Sequence, residues 1–440
     1  MQVADTIRHR EHGSLNCSGM KFHIHTTGCK ANQWDSYVMS NTLQNKGLTQ
    51  DSLAHADVII INACTLTEGA ERDVRQFIHR ARRLNKEARV VLAGCHAQVY
   101  PDNVFGADLV LGQNEKFSID QFLEKKGSFV KQTRIFPMED APVDGLPCGR
   151  TRIFLKVQDG CDRFCAYCVV PFARGKPRSR PLEEIRHVMK VFAEKGVKEV
   201  VLTGIELSSY RDPETGMDFK GLLQVLETEE TPQRLRISSI DPLYVDDEFV
   251  EIVAGSTKIA RSLHIPLQSG SNAVLEKMGR AYTGQFMGDL LEMIRHRIDS
   301  VGIGMDVMVG FPSEDEEHFM ETYRFLEAAG VSYLHVFPYS ARQGTRAASW
   351  KDDVPDTIKR QRVRMLKGLD GMLRRRFAEK FVGTEAWIII EGKIYQGSFV
   401  RGYTDNYLPV YVPYRNGLVN DRVKVTIREI RDNLLLGEIN

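Results

Sequence analysis

Residues 152–168 read RIFLKVQDGCDRFCAYC, a strand-like segment that runs directly into a loop with three cysteines. Cys161, Cys165 and Cys168 lie within eight residues of one another. A disulfide, a structural zinc site and chance are the simple explanations for such crowding. The rest of the chain distinguishes between them.

A zinc site needs more ligands than this loop offers. Structural zinc usually takes four protein ligands, often from paired cysteine knuckles, but the local set stops at three. The nearest histidine, His187, falls on a predicted helix. Three thiolates suit a [4Fe–4S] cluster whose fourth iron stays open to a small ligand. Disulfides are disfavoured, because the polar N-terminus lacks the apolar stretch of a secretion signal and predicts a cytoplasmic protein.

The cysteine loop follows the first of six strand–helix units, which predict a partial TIM-like (β/α)6 barrel over residues 148–378. Barrel enzymes keep their chemistry in loops at the carboxyl ends of the strands, where this loop lies. No P-loop motif is present, which disfavours NTP hydrolysis, and no apolar run is long enough for a membrane helix. The strand candidates are IFLKVQ, EVVLTGI, RLRISSI, SLHIPLQ, GIGMDVMVGF and LHVFPYS.

A smaller strand–helix alternation precedes the barrel and predicts a parallel α/β domain over residues 21–130. Residues 1–20 lack a periodic apolar pattern and are expected to form a flexible tail. Residues 131–147, rich in proline, glycine and acids, are expected to form a linker. The predicted fold is therefore a multidomain α/β protein.

Three cysteines of this first domain each follow a predicted strand: Cys29 in HIHTTGC, Cys64 in VIIINAC and Cys95 in VVLAGC. They could be buried thiols, since free cysteine is often a core residue. However, the carboxyl ends of parallel strands share one edge of a sheet, where such sheets bind ligands. Gly28 and Gly94 would allow a cofactor close to the backbone. The pattern favours a second three-cysteine iron–sulfur cluster. Cys17 and Cys148 are assigned no role.

Several polar or small residues near the predicted barrel-strand ends are candidates for contacts with cofactor or substrate. Residues at such positions are also often turn or cap formers, so both interpretations stay open. The candidates are Gly204, Glu206, Gln268, Ser269 and Asp306.

The chain carries a net charge of only +1, but residues 357–381 hold nine basic residues against Asp370 and Glu379. This basic helix leads into about sixty residues of short β segments, which predict a small all-β barrel over residues 379–440. A solvated helix face is the simple alternative, but cations beside tyrosines favour RNA binding. The candidate RNA-binding residues are Arg174, Lys176, Arg178, Arg180, Arg374, Arg375 and Arg376; the tyrosines are Tyr403, Tyr407, Tyr411 and Tyr414.

The spacing of Cys161, Cys165 and Cys168, with the aromatic Tyr167, resembles the radical S-adenosylmethionine (SAM) signature. In that superfamily the open iron binds the methionine end of SAM and the aromatic lies near its adenine. Electron transfer then yields a 5′-deoxyadenosyl radical. TTGCKANQ, NACTLTEGAE, VVLAGCHAQ, HIPLQSGSN, VGFPSE and VFPYSARQGT resemble the methylthiotransferase family in particular.

This resemblance covers nearly all of residues 21–440. It implies an N-terminal methylthiotransferase domain, a radical SAM core and a C-terminal TRAM barrel, with two [4Fe–4S] clusters and SAM as cofactors. The family's auxiliary-cluster ligands fall on Cys29, Cys64 and Cys95. One SAM would methylate sulfur at the auxiliary cluster, and another would generate the radical. Ala63 departs from the threonine common before the second cysteine, which leaves the ligand set intact.

GCKANQ, QDGC and FPYSARQGT most resemble the branch that modifies threonylcarbamoyladenosine in tRNA. The resemblance implies an enzyme that adds a methylthio group to C2 of that adenine, next to the anticodon. It also implies tRNA, a low-potential electron donor of the flavodoxin or ferredoxin type and a sulfur donor as partners, with no membrane. Action on isopentenyl-adenosine or on a ribosomal-protein aspartate remains an alternative, as does a non-enzymatic iron–sulfur RNA-binding protein.

Overall fold

The structure, a computed structural model, describes residues 19–141 and 151–440. Cys17, Cys148, most of the expected tail and part of the expected linker lie outside these residues. Statements about them therefore stay predictions.

A six-stranded parallel sheet forms the N-terminal domain, with strand order β2-β1-β3-β4-β5-β6. Strand β3 is buried along its whole length, as parallel sheets covered on both faces require. The strands are β1 (Lys21–Thr26), β2 (Thr49–Gln50), β3 (Val58–Ala63), β4 (Arg89–Gly94), β5 (Leu109–Leu111) and β6 (Gly127–Phe129). The helices are α1 (Lys30–Asn45), α2 (Glu68–Leu84) and α3 (Cys95–Val99).

The second unit is an open arc of six parallel strands in sequential order. Two three-stranded sheets, β7-β10-β11 and β12-β13-β14, are joined by isolated bridges such as Ser239 to His264. The strands are β7 (Arg152–Lys156), β8 (Gln158–Asp159), β9 (Arg178–Ser179), β10 (Glu199–Thr203), β11 (Arg234–Ile237), β12 (Ser262–Gln268), β13 (Gly302–Val309) and β14 (Tyr333–Pro338). The helices are α4 (Val170–Arg174), α5 (Leu182–Glu194), α6 (Phe219–Thr228), α7 (Asp247–Gly255), α8 (Asn272–Met278), α9 (Gly284–Arg297) and α10 (Glu316–Ala328).

Helix α1 joins the core of this arc as well as its own sheet. Trp34 and Val38 of α1 are buried with Leu155 of β7 and the other strands of the arc. The indole Nε1 of Trp34 donates a hydrogen bond to Glu139 Oε1 at 2.7 Å. The first domain is therefore packed against the barrel, which brings its sheet edge toward the barrel loops.

Helix α11 (Asp356–Glu379) packs beside β14 and leads into a closed five-stranded barrel of order β15-β16-β17-β19-β18. Its strands are β15 (Glu385–Tyr395), β16 (Phe399–Tyr403), β17 (Pro409–Pro413), β18 (Arg422–Arg431) and β19 (Leu434–Ile439). The predicted fold class, with a parallel α/β sheet, a partial barrel and a small all-β barrel, is confirmed. Among the described residues, none of the helices combines the length and apolar character that a membrane crossing needs.

Candidate active site and cofactor centres

The loop with Cys161, Cys165 and Cys168 follows β8 and is held by backbone hydrogen bonds. Cys161 N donates to Gly175 O at 3.0 Å, and Ala166 N donates to Met278 O at 2.8 Å. Gly160, at φ +77°, lies close to the backbone of Lys176. A β-carbon at position 160 would lie only 2.1 Å from Lys176 O. The loop is therefore shaped by contacts to distant segments rather than by its cysteines alone.

A charged side chain from another part of the barrel contacts this loop. Arg280 Nη1 donates to Cys165 Sγ at 3.4 Å, and Arg280 Nη2 lies 3.1 Å from Asp241 Oδ2. Its positive charge therefore lies beside one of the three proposed cluster ligands. Burial raises the pKa of Cys161 to about 11 and of Cys168 to about 12. These thiols are thus protonated at neutral pH until a metal displaces the protons.

The other three-cysteine set forms at one edge of the N-terminal sheet. Cys29, Cys64 and Cys95 follow β1, β3 and β4, which are adjacent strands, so the three thiols converge as the sequence predicts. Gly28, at φ +91°, lies so close to Cys64 that a β-carbon there would come within 2.7 Å of Cys64 Sγ. Burial, then the nearby Cys95 and Cys29, raises the pKa of Cys64 to about 12.

Polar side chains surround this second set. Gln113 Nε2 donates to Cys95 Sγ at 3.1 Å, and both residues are buried. Burial raises the pKa of Cys95, and the positive charge of Arg174 partly opposes that shift. Sequence analysis missed Gln113 and Arg280, because neither belongs to a cysteine motif: Gln113 lies 18 residues from Cys95, and Arg280 lies 115 residues from Cys165.

The distances between the thiols of each set can be compared with those expected around a single zinc ion. The described residues hold two groups whose metal-ligating atoms all lie within 4.8 Å of one another, and neither group contains a cysteine. Thiolates on one tetrahedral zinc would lie about 3.8 Å apart, given a Zn–S bond of about 2.3 Å. Within each three-cysteine set, the thiols therefore do not all lie within 4.8 Å of one another.

A buried ionic network lies between the two cysteine sets. Lys156 Nζ contacts Asp159 Oδ2 at 2.8 Å, and Lys116 Nζ contacts Asp35 Oδ2 at 2.7 Å. Arg174 lies between the two carboxylates, with nitrogens 2.9 Å from Asp159 Oδ1 and 2.9 Å from Asp35 Oδ2. The network joins the start of the cysteine loop to helix α1.

This network corrects part of the predicted RNA surface. Arg174 and Arg180 are fully buried, and Arg180 pairs with Glu139 at 2.9 Å and with Glu184. Arg178 is partly buried and pairs with Asp159 at 2.7 Å. These arginines neutralise internal carboxylates instead of extending a positive surface, whereas Lys176 is exposed as expected. The spacing of basic residues could not reveal acidic partners from other segments.

Two strand-end candidates lie near the cysteine loop. Gly204 leaves space for Gln158, because a β-carbon at position 204 would lie 3.0 Å from Gln158 Oε1. Glu206 Oε2 pairs with Arg163 at 3.1 Å, and burial raises the pKa of the Glu206 carboxyl. Tyr167 of the loop packs edge-on against Phe311, with ring centroids 6.4 Å apart.

The remaining strand-end candidates differ in whether their polar side chains have hydrogen-bond partners. Gln268 is buried at φ +67°, and its Oε1 has no hydrogen-bond partner among the described residues. A strained, unpartnered polar group of this kind is typical of a functional site. By contrast, Ser269 is fully buried, and its hydroxyl lies 3.1 Å from Thr322 Oγ1 and accepts from Ser271 N, which supports the turn-forming role. Asp306 faces the barrel interior, 2.9 Å from His264 Nε2.

The basic helix α11 is only partly a free surface. Lys359 and Arg362 are buried and pair with Asp352 and Glu314. The predicted RNA-binding residues Arg374, Arg375 and Arg376 are exposed, although the first two make surface ion pairs with Asp370 and Glu379.

The tyrosines of the C-terminal barrel also differ in exposure, and of these Tyr414 is 41% exposed. Tyr403 and Tyr407 stack on each other, with centroids 4.8 Å apart, and pack against arginines of the (β/α)6 barrel. They hold the two barrels together and are not a free stacking surface. Trp387, which sequence analysis did not select, is 47% exposed, and the Arg422 guanidinium lies 5.1 Å from its ring centroid.

Comparison with known proteins agrees with this architecture. Residues 155–326 match the Radical SAM superfamily, residues 21–112 the uncharacterized protein family UPF0004, and residues 379–439 the TRAM domain. The chain is 38% identical to the threonylcarbamoyladenosine tRNA methylthiotransferase of Bacillus subtilis (strain 168), over 92% of this chain and 93% of the relative. It is 40% identical to the protein of the same name from Aquifex aeolicus (strain VF5), over 89% and 96%. The chain belongs to the radical SAM methylthiotransferase family.

Other relatives widen the comparison. A tRNA-2-methylthio-N(6)-dimethylallyladenosine synthase of Thermotoga petrophila is 33% identical, over 86% of this chain and 88% of the relative. The radical S-adenosylmethionine methyltransferase TsrM of Kitasatospora setae shares the fold, with a TM-score of 0.54 at 17% identity over 75% of this chain and 77% of that chain. Membership of the family confirms that the protein is an enzyme and that its cofactors are SAM and [4Fe–4S] clusters. It removes the non-enzymatic alternative.

Proposed function

We propose that this methylthiotransferase adds a methylthio group to C2 of threonylcarbamoyladenosine, next to the anticodon of tRNA. The observation that carries the proposal is the identity of 38% and 40% to two threonylcarbamoyladenosine tRNA methylthiotransferases, each over most of both chains. The same motifs that favoured this branch in the sequence lie in the two cysteine loops and in the segment after β14. The protein acts in the cytoplasm in this proposal.

The ligand sets follow from the two groups of converging thiols. Cys161, Cys165 and Cys168 would hold the SAM-binding cluster, and Cys29, Cys64 and Cys95 the auxiliary cluster. When bound, these groups supply the one-electron and sulfur chemistry that an inert C–H bond requires. Arg280 holds a positive charge at Cys165, and Gln113 donates to Cys95. Tyr167, Gly204, Glu206, Gln268 and Asp306 are the proposed contacts with SAM and substrate.

The protein's own residues also arrange the two centres relative to each other. Arg174 binds carboxylates of both domains, so the edge of the N-terminal sheet is held against the mouth of the barrel. An adenine between the two centres would then be within reach of both. The domain limits proposed for this arrangement are residues 21–130, 148–378 and 379–440.

RNA would be held by the exposed part of the basic helix and by the TRAM barrel. Lys176, Arg374, Arg375 and Arg376 are the proposed phosphate contacts, and phosphate contacts provide affinity without sequence selection. An electron donor of the flavodoxin or ferredoxin type and a sulfur donor complete the proposed partners.

Nucleoside mass spectrometry tests the proposal directly. Transfer RNA from a strain that lacks this gene should accumulate threonylcarbamoyladenosine without the methylthio group, and the wild-type gene should restore the modified nucleoside. Restoration by a variant without Cys161, Cys165 and Cys168 would contradict the assigned role of that set. Loss of methylthio from isopentenyl-adenosine, or from a ribosomal protein, would instead identify one of the alternative substrates.

A further inference from the structure

A cavity of about 200 Å³ lies inside the (β/α)6 barrel. It is small beside typical ligand pockets of ~300–1,000 Å³, so it suits a substituent rather than a whole nucleoside. The charged and titratable groups that line it are Lys30, Arg152, Arg236, His264, Asp306, Tyr333, His335 and Tyr407.

Two lining residues connect the cavity with the two proposed cofactor centres. Asp306 lines it, and Met308, two residues or about 7 Å further along β13, is buried with Ala166 of the cysteine loop. Lys30 lines it from the other side and directly follows Cys29 in the chain. A group that extends from a base between the two centres could therefore reach it.

The C-terminal barrel covers the opposite end of the cavity. Arg236 donates to the backbone oxygens of Asp405 at 2.9 Å and Thr404 at 3.0 Å. Tyr407 lies at the lining, with the Arg236 guanidinium 4.8 Å from its ring centroid. The TRAM barrel thus closes one end of this cavity, in addition to its proposed role in binding RNA.

Charge selects the kind of ligand. The lining holds three cations against one carboxylate, Asp306. Arg152 is matched by Glu391 at 2.7 Å and Arg236 by Glu199 at 3.0 Å, whereas Lys30 forms no ion pair within residues 19–141 and 151–440. His264, Asp306 and His335 place their ligand atoms within 4.8 Å of one another, as a metal site would. Because the two arginines already have acidic partners, the Lys30 ammonium is the lining cation whose charge can attract an anion and oppose a divalent metal.

We propose that this cavity binds the threonyl carboxylate of the substrate, with Lys30 as its ion-pair partner. The inference rests on the proposed function. The threonylcarbamoyl group is attached to N6, which shares the Watson–Crick edge of the adenine with C2, so presenting C2 to the two centres keeps this group within reach of a cavity beside them. Asp306 and its histidines line the same cavity and offer partners for the threonyl hydroxyl. A dimethylallyl group would leave Lys30 desolvated without a counter-charge, which disfavours that substrate.

A two-by-two comparison tests the role of Lys30. The substrates are an anticodon stem-loop with threonylcarbamoyladenosine and the same stem-loop with its threonyl carboxylate converted to the carboxamide. The wild-type protein should prefer the carboxylate in kcat/KM by on the order of tenfold to a hundredfold, as for a charged hydrogen bond. Lys30→Met should bring the preference close to one, and Lys30→Arg should restore much of it.

A matched control and a binding measurement separate this role from damage to the nearby cluster. Lys46→Met makes the same chemical change at the exposed C-terminal end of α1 and should keep the full preference. Iron content is measured for every variant. Fluorescence anisotropy of the labelled stem-loops should show the same loss of carboxylate preference without turnover.

The outcomes distinguish two failures. Equal loss on both substrates in Lys30→Met, or equal binding of both by the wild-type protein, would overturn the carboxylate site while leaving the proposed function intact. A wild-type enzyme that methylthiolates neither stem-loop would overturn the proposed function. In that case the anisotropy comparison still decides whether Lys30 binds the carboxylate.

Discussion

Arg174 and Asp35 form an ion pair of 2.9 Å across the boundary between the barrel and the N-terminal domain, and both side chains are 1% exposed or less. Arg174 also binds Asp159, two residues before Cys161, through distances of 2.9 and 3.0 Å. One guanidinium therefore links helix α1, which begins directly after Cys29, to the start of the other cysteine loop. The relative position of the two cofactor centres depends on this buried contact.

Replacing Arg174 should destabilise the protein. Arg174→Met leaves Asp35 and Asp159 with a missing counter-charge in a buried site, which typically costs about 3–5 kcal/mol. The free energy of unfolding, measured in urea, should fall by that amount. Lys176→Met, a change at an exposed neighbour, should stay within about 0.5 kcal/mol of the wild-type value. Equal stability of the two variants would contradict the assigned role of Arg174.

The same network predicts an acid limit to stability. Burial opposes ionisation of Asp35, but Lys116, Lys156 and Arg174 lower its pKa well below the usual range. A depressed pKa stabilises the fold above the unfolded-state value of about 3.9, and this contribution is lost as the pH falls toward the folded-state pKa. Stability should therefore decline below about pH 4. In Arg174→Met the folded-state pKa of Asp35 lies closer to the unfolded-state value, so urea unfolding at a series of pH values should show a smaller loss of stability below about pH 4.

Gly28 should be needed for the auxiliary cluster. In Gly28→Ala the new β-carbon would lie 2.4 Å from Cys64 Cβ, so the cysteine must move. Iron content should fall toward half of the wild-type value. Gly127→Ala is the matched control, because Gly127 has a similar φ of +98° but nothing within 4 Å of the added carbon. If both variants kept full iron, close packing of Gly28 on Cys64 would not matter for the cluster.

Iron content should also separate the two centres. Anaerobically reconstituted protein should hold about eight irons, as two cubane clusters. Replacing Cys161, Cys165 and Cys168 with Ala should halve the iron and abolish SAM cleavage. Replacing Cys29, Cys64 and Cys95 should halve the iron but leave 5′-deoxyadenosine formation measurable, without methylthiolated product. Full iron in the second variant would rule out the auxiliary site.

The exposed arginines of α11 should contribute to the salt dependence of RNA binding. Phosphate contacts release counterions, with a slope of about −0.7 to −0.9 per contact in a log–log plot. Changing Arg374, Arg375 and Arg376 to Ala should flatten the slope by about two to three units. Filter binding of tRNA across a salt series measures this. The control replaces Arg72, Arg80 and Arg83, three exposed arginines of α2, with Ala. If the α11 variant gave the same slope as this control and the wild-type protein, the arginines of α11 would form only a solvated helix face.

Local patterns in the sequence were sufficient to predict the candidate cluster ligands and the order of the domains. Cys161, Cys165 and Cys168 lie close in sequence, and strand periodicity placed Cys29, Cys64 and Cys95 at one sheet edge. Both patterns are informative before the tertiary structure is known. The spacing of cysteines along the chain and the common direction of parallel strands are properties of the backbone itself. They predicted the three-part architecture and both sets of converging thiols.

Only the tertiary structure decided which charges are free. Arg174 and Arg180 read as surface cations, yet acidic residues from other segments bury and neutralise them. Tyr407 read as an RNA contact, yet it lines a cavity inside the neighbouring barrel with Lys30. Such outcomes depend on pairs from separate segments: Arg174 and Asp35 are 139 residues apart, and Arg180 and Glu139 are 41 residues apart. Spacing along the chain carries no information about them, because burial and electrostatic pairing arise only when the domains pack together.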